Sequence, residues 1–143
     1  MGRFKNARVT LINPQVEQLY SSMVPGLITK RFNYDESSID LMQLTQFSDC
    51  RFYKDTLISV NPKQKFIECK KRGRIDFDIL SLSTGSVTKK IASFGNSNFT
   101  YLKPFDTFIS TFETWIKTFD HNKNQLRIGI IGGGVAAVEI ISA

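Results

Sequence analysis

Apolar positions change their spacing several times along the chain, and each change predicts an element. Residues 7–13, ARVTLIN, form a short apolar, β-branched run closed by Pro14, the pattern of a buried parallel strand and its exit loop. YSSMVPGLI, residues 20–28, is punctuated by serine, proline and glycine yet carries large apolar side chains, so it reads as a loop packed on something. Asp35 or Ser37 can then cap a short helix with Ile39, Leu41, Leu44 and Phe47 as its apolar face. Three strand-like runs follow, CRFYKDTLISVNP, KQKFIECK and IDFDILSLSTG, joined by turns at Asn61-Pro62-Lys63 and around Gly73. They predict an antiparallel β-meander feeding into a buried strand at residues 79–82. After the turn-rich SFGNSNFTYLKP, the residues Phe105, Phe108, Ile109, Phe112, Ile116 and Phe119 recur at helical spacing, predicting an amphipathic helix just beyond Pro104. A polar stretch, DHNKNQ, separates it from a terminal strand at residues 126–131 and marks a domain boundary.

That last strand runs into Gly132, Gly133 and Gly134 and then into alanine-rich helix formers, so the end of the chain reads as strand, tight turn and helix. Gly132, Gly134 and Ala137 fit G-x-G-x-x-G/A. The first glycine permits the turn, the second lets a pyrophosphate approach the main chain, and the small third residue lets helix pack on strand. Free N–H groups and the dipole of the helix then offer an anion site. The two readings of this stretch are a nucleotide-binding turn and a glycine-rich structural turn. Glu139 is equally a solvated helix residue or a group beside the cofactor. The acidic residue that receives the ribose in such units lies about twenty residues beyond the turn, past Ala143, so these residues do not separate NADH from NADPH.

The 143 residues are enough for one domain with a core, and the composition is that of an ordinary soluble chain. Nineteen basic residues against thirteen acidic ones give a net charge of +6. The basic residues cluster only at Lys70, Lys71, Arg72 and Arg74, which reads either as a solvated hairpin turn or as a contact for nucleic acid or an anionic surface. Cys50 and Cys69 match no metal-ligand or CxxC spacing and read as buried free thiols in a reducing cytoplasm. His121, in the polar DHNKNQ stretch, reads as a surface residue. No window carries the apolar core of a signal peptide or a membrane span.

VTLINP, YSSMVPGLI, IDLMQL, FDILSLSTGS, KPFDTF and IGIIGGGVAAVEI occur in an order that resembles the FAD-dependent pyridine nucleotide oxidoreductases. Within that family the chain is most similar to the NADH dehydrogenase-like flavoprotein module that in some bacteria is fused to selenide, water dikinase. The resemblance implies an α/β chain, a partial Rossmann-like FAD/NAD(P)-binding fold with a β-meander, truncated at both ends. Residues 1–104 would be a partial FAD-binding domain with the meander, 105–125 a connecting amphipathic helix and linker, and 126–143 the start of the NAD(P)H-binding domain. Met1 to Asn6 would end the helix of a first, absent glycine turn. Its missing neighbours leave exposed edges, so the isolated piece is expected to be inactive and prone to associate.

The resemblance also implies site residues. Asn13 stands at the end of the strand that faces the adenosine ribose, where many relatives have an acidic residue; a hydrogen bond remains open to it and a carboxylate clamp does not. Tyr20, Ser21, Met23, Pro25 and Gly26 belong to a stretch similar to the family's Tyr-Ser-Gly-Met-Leu-Pro-Gly loop near the flavin, with Ser22 in place of its first glycine. Thr56 falls in the strand region near the adenine, and Thr84-Gly85-Ser86 resembles the turn that closes the FAD site. Gly132, Gly133, Gly134, Ala137 and Glu139 would serve NAD(P)H. No cysteine pair of the disulfide-reductase type is present, which points to direct electron transfer from NAD(P)H through FAD to an unidentified acceptor. No acid, base or nucleophile is assigned, and no nucleic-acid partner is expected. The alternative from another functional class is a basic module that binds nucleic acid or another acidic surface.

Overall fold

The computed structural model describes residues 6–89, 99–119 and 127–143. Expectations for residues 1–5, for the polar stretch with His121, and for Leu126 lie outside them. The chain is a mixed α/β structure with small sheets, and it divides into two units, each built from two separate segments. Residues 1–18 and 38–83 make the first unit; residues 19–37 and 84–143 make the second.

In the first unit β1 (Thr10–Asn13) pairs in parallel with β4 (Arg51–Lys54), in the register Thr10 to Arg51 and Asn13 to Lys54. The parallel strand predicted at residues 7–13 therefore forms, although its side chains are half-buried rather than buried. β2 (Glu17–Leu19) pairs with β3 (Ser38–Asp40) in a second small sheet. The predicted meander is present as β5 (Leu57–Asn61), β6 (Phe66–Cys69) and β7 (Gly73–Asp76), antiparallel in sequence order. Ile67 and Cys69 turn to its covered side, and each is under 5% exposed.

Three expectations fail between residues 34 and 82. CRFYKDTLISVNP is not one strand: it breaks at Asp55-Thr56, so that β4 serves the parallel pair and β5 the meander. The single helix with Asp35 or Ser37 as cap is two short helices, α2 (Tyr34–Ser37) and α3 (Leu41–Phe47), with β3 between them. Asp40 caps α3, its Oδ1 accepting the N–H groups of Met42 at 2.8 Å and Gln43 at 3.0 Å. Leu41 and Thr45, four residues apart, form the buried face, while Leu44 and Phe47 are exposed. Residues 79–82 form no strand and Ile79 is 92% exposed. Meander pairing ends at Asp76, and the apolar residues beyond it have no ladder partner to make them a strand.

In the second unit the YSSMVPGLI stretch is helical, not a loop. A 3₁₀ turn at Ser21–Met23 leads into α1 (Val24–Ile28), with Pro25 in its first turn, where a missing N–H removes no helical bond. At the start of α2, Asn33 Oδ1 accepts the Glu36 N–H at 2.9 Å and Glu36 Oε2 accepts the Asn33 N–H at 2.8 Å, a reciprocal capping box. The amphipathic helix forms as α4 (Phe105–Thr118), starting directly after Pro104. Its Phe108 and Ile109 join Leu19 and Val24 in the core, with Leu27, Ile28, Leu102, Phe105 and Phe112 packed around them. Val24, 1% exposed, is the anchor that the sequence required of this stretch. The terminal strand at residues 126–131 is absent from the described part, 127–131, where Ile128 and Ile131 are exposed without a β partner. The helix after the glycines does form, as α5 (Val135–Ser142).

Candidate functional site

An open groove of about 320 Å³ lies in the second unit. One wall comes from Ser21, Ser22, Val24 and Pro25, at the start of α1. A second comes from Leu102, Lys103 and Phe105, where the chain enters α4. The third is α5, with Val135, Ala136, Glu139 and Ile140. The groove is wide open and mixes apolar side chains with two hydroxyls, one ammonium and one carboxylate. The groove brings together three of the residues singled out from the sequence, Ser21, Pro25 and Glu139. Lys103, Phe105 and Ser22 were not among those candidates. Ser22 lies in the YSSMVPGLI stretch and Lys103 and Phe105 in KPFDTF, both among the stretches that carry the resemblance, but the resemblance assigns these three residues no site role.

The glycine turn reaches this groove through α5. Gly132 has φ +124°, a conformation open only to glycine, whereas Gly133 and Gly134 are not held to glycine by backbone angle. A Cβ added at any of the three would meet nothing within 4 Å, so the main chain stands open to a close approach. Gly134 caps α5, its carbonyl accepting the N–H groups of Ala137 at 2.9 Å and Val138 at 3.2 Å. The N–H groups of Val135 and Ala136, ahead of these, have no partner within the helix. The residues present thus fit a pyrophosphate at the turn. Of the predicted strand, turn and helix, the helix forms, and the glycines before it bend at Gly134 without a strand leading in.

Gly26 has a reason of its own. A Cβ there would collide with the Phe32 ring, whose Cδ2 and Cε2 are its nearest neighbours, the latter at 2.7 Å. Its carbonyl also accepts the N–H groups of Arg31 at 2.8 Å and Phe32 at 3.2 Å. Close packing of the chain on itself therefore accounts for this glycine. Gly26→Ala is expected to lose about 1–3 kcal/mol to overpacking and to regain up to about 1 kcal/mol in helix propensity, a net loss. Urea denaturation of Gly26→Ala with and without Phe32→Ala checks this, because in the Phe32→Ala background the same change should become neutral or stabilising.

The other candidates lie apart from the groove. Tyr20 is half-exposed, its N–H donating to the Ser37 carbonyl at 2.8 Å and its carbonyl accepting from Met23 at 2.9 Å. Met23 is part-buried and does not line the groove. Thr84 and Gly85 are exposed; Gly85 has φ +78°, and next to it Lys103 Nζ donates to Ser86 Oγ at 2.8 Å. Asn13 and Thr56 belong to the first unit. Asn13 Nδ2 donates to the Gln15 carbonyl at 2.9 Å, and its own carbonyl accepts the Asp55 N–H at 3.1 Å. Both main-chain groups of Thr56 are engaged, the N–H by Asp55 Oδ1 at 2.7 Å and the carbonyl by the Lys70 N–H at 2.9 Å.

Asp55, which with Thr56 and Leu57 matches the strand region the resemblance places near the adenine, is tightly held by backbone donors in the first unit. It is 2% exposed and accepts the N–H groups of Thr56, Lys71 and Arg72, the last at 2.9 Å. Burial pushes its carboxyl upward; the three backbone donors, aided by the charge of Lys71, outweigh that and hold it below the ordinary carboxylate value. Beside it, burial and the charges of Asp55 and Glu68 push the Cys69 thiol up, against a smaller opposing pull from Arg72. Cys69 is buried as expected, but Cys50 is only part-buried. In the folded chain a thiol reagent at pH 8 should modify Cys50 first and Cys69 more slowly, by on the order of tenfold or more, with the difference vanishing in denaturant.

The basic turn is a hairpin connection, as one of its two readings held. Arg72 lies over the Tyr53 ring at 3.9 Å and Arg74 over Phe66 at 4.2 Å, with Arg74 also paired to Asp76 at 2.8 Å. The chain's own guanidinium groups thus cover both aromatic faces. Among the described residues no three His, Cys, Asp or Glu side chains gather as a metal site, and no helix is long and apolar enough to cross a membrane.

No family model matches the chain, and no curated protein matches it. Among solved structures it is similar to the sulfide:quinone oxidoreductase from the hyperthermophilic bacterium Aquifex aeolicus, at 18% identity and a TM-score of 0.47. The similarity covers 52% of this chain and 18% of that one, so the chain spans under a fifth of that protein's length.

Proposed function

We propose that the chain is part of a flavin-dependent NAD(P)H oxidoreductase and that its second unit contributes to the nucleotide site. The observation that carries this reading is the glycine turn at Gly132–Gly134, with φ +124° at Gly132 and open space over all three glycines, running straight into a helix that walls a groove. The turn and the first N–H groups of α5 would hold the pyrophosphate of NAD(P)H. Ser21, Lys103 and Glu139 would supply the polar contacts of the groove, and Pro25, Phe105 and Val135 its apolar walls. A bound flavin would supply the hydride-accepting chemistry, as the order of sequence motifs implies. The described residues would bind and orient the nucleotide. The whole protein's electron acceptor would be a separate small molecule or protein.

The test is expression of these residues with their native flanking sequence. Co-purification of a yellow chromophore that bleaches on addition of NADH or NADPH is the expected result; a folded, colourless product that does not oxidise either nucleotide overturns the reading. Gly132→Ala should then weaken nucleotide binding by roughly 10–100-fold, from about 1–3 kcal/mol of backbone strain, without changing the flavin content. Titration of the variant by nucleotide fluorescence checks it.

A further inference from the structure

We draw no further inference here: the strongest candidate, the exposed apolar face of α5 with Val135, Val138 and Ile141, carries nothing because no feature of the structure shows what covers it.

Discussion

Phe108→Ala is expected to unfold the second unit, or to leave it barely stable. Phe108 is 8% exposed, is buried with Leu19, Val24 and Ile109 among the described residues, and stacks on Phe112 with ring centroids 5.8 Å apart. Removing a buried phenylalanine side chain costs about 3–5 kcal/mol, the lost transfer free energy plus the cavity left behind. Domains of this size have about 5–15 kcal/mol in total, so the loss is a large share. Around the cluster the described residues Leu27, Ile28, Leu102, Phe105 and Phe112 are themselves only partly buried, so they close poorly over the gap. Trp115, on the same helix, makes the effect measurable by fluorescence in urea. A fall in the denaturation midpoint of more than about 1 M is expected, against a smaller one for the half-buried Phe112. An unchanged midpoint would show that α4 is not packed as described.

The second large effect is at Asp55. A carboxylate offers acceptors only, which suits three converging backbone N–H groups; an amide replaces one oxygen with a donor and faces those N–H groups with another. Asp55→Asn should therefore lower the melting temperature of the first unit on the order of 10 °C, by stranding N–H groups where β4 gives way to the meander. The pH dependence has a definite sign. Because the folded carboxyl is held below its unfolded value of about 3.9, its contribution is complete above that value and is lost as pH falls through the lower, folded one. Acid unfolding followed by circular dichroism should be steeper below about pH 4 in the unsubstituted chain than in Asp55→Asn. Equal slopes would mean that the carboxylate is not held by these donors.

Elements whose periodicity was long or locally closed were legible in the sequence. The stripe from Phe105 to Phe112 needed only its own spacing to predict α4, and the meander had turn residues at both connections. The two failed strands share a cause. Residues 79–82 and 127–131 have strand composition, but a strand exists only with a partner, and local pattern does not say whether one is available. The helix expected from Asp35 or Ser37 failed for a different reason, since Asp40 was the better-placed cap and Asn33 closed a capping box with Glu36 first. At the site, the glycine turn was readable because it is contiguous. Lys103 and Phe105 reach the groove from about thirty residues before that turn, and Asp55 meets Lys71 and Arg72 across a hairpin. Contacts that join distant segments leave no mark on either segment alone.

The interleaving of the two units sets an order of events during synthesis. All of the first unit has been made once the ribosome passes residue 83, whereas Leu19 and Val24 belong to a core completed by Phe108 and Ile109. At roughly 5–20 residues per second, those two apolar side chains wait for several seconds after they are made. The first unit can fold vectorially within that interval; the second can only fold late. A ribosome pause between residues 84 and 108 would prolong the time during which the Leu19–Ile28 stretch is available to chaperones or to other nascent chains.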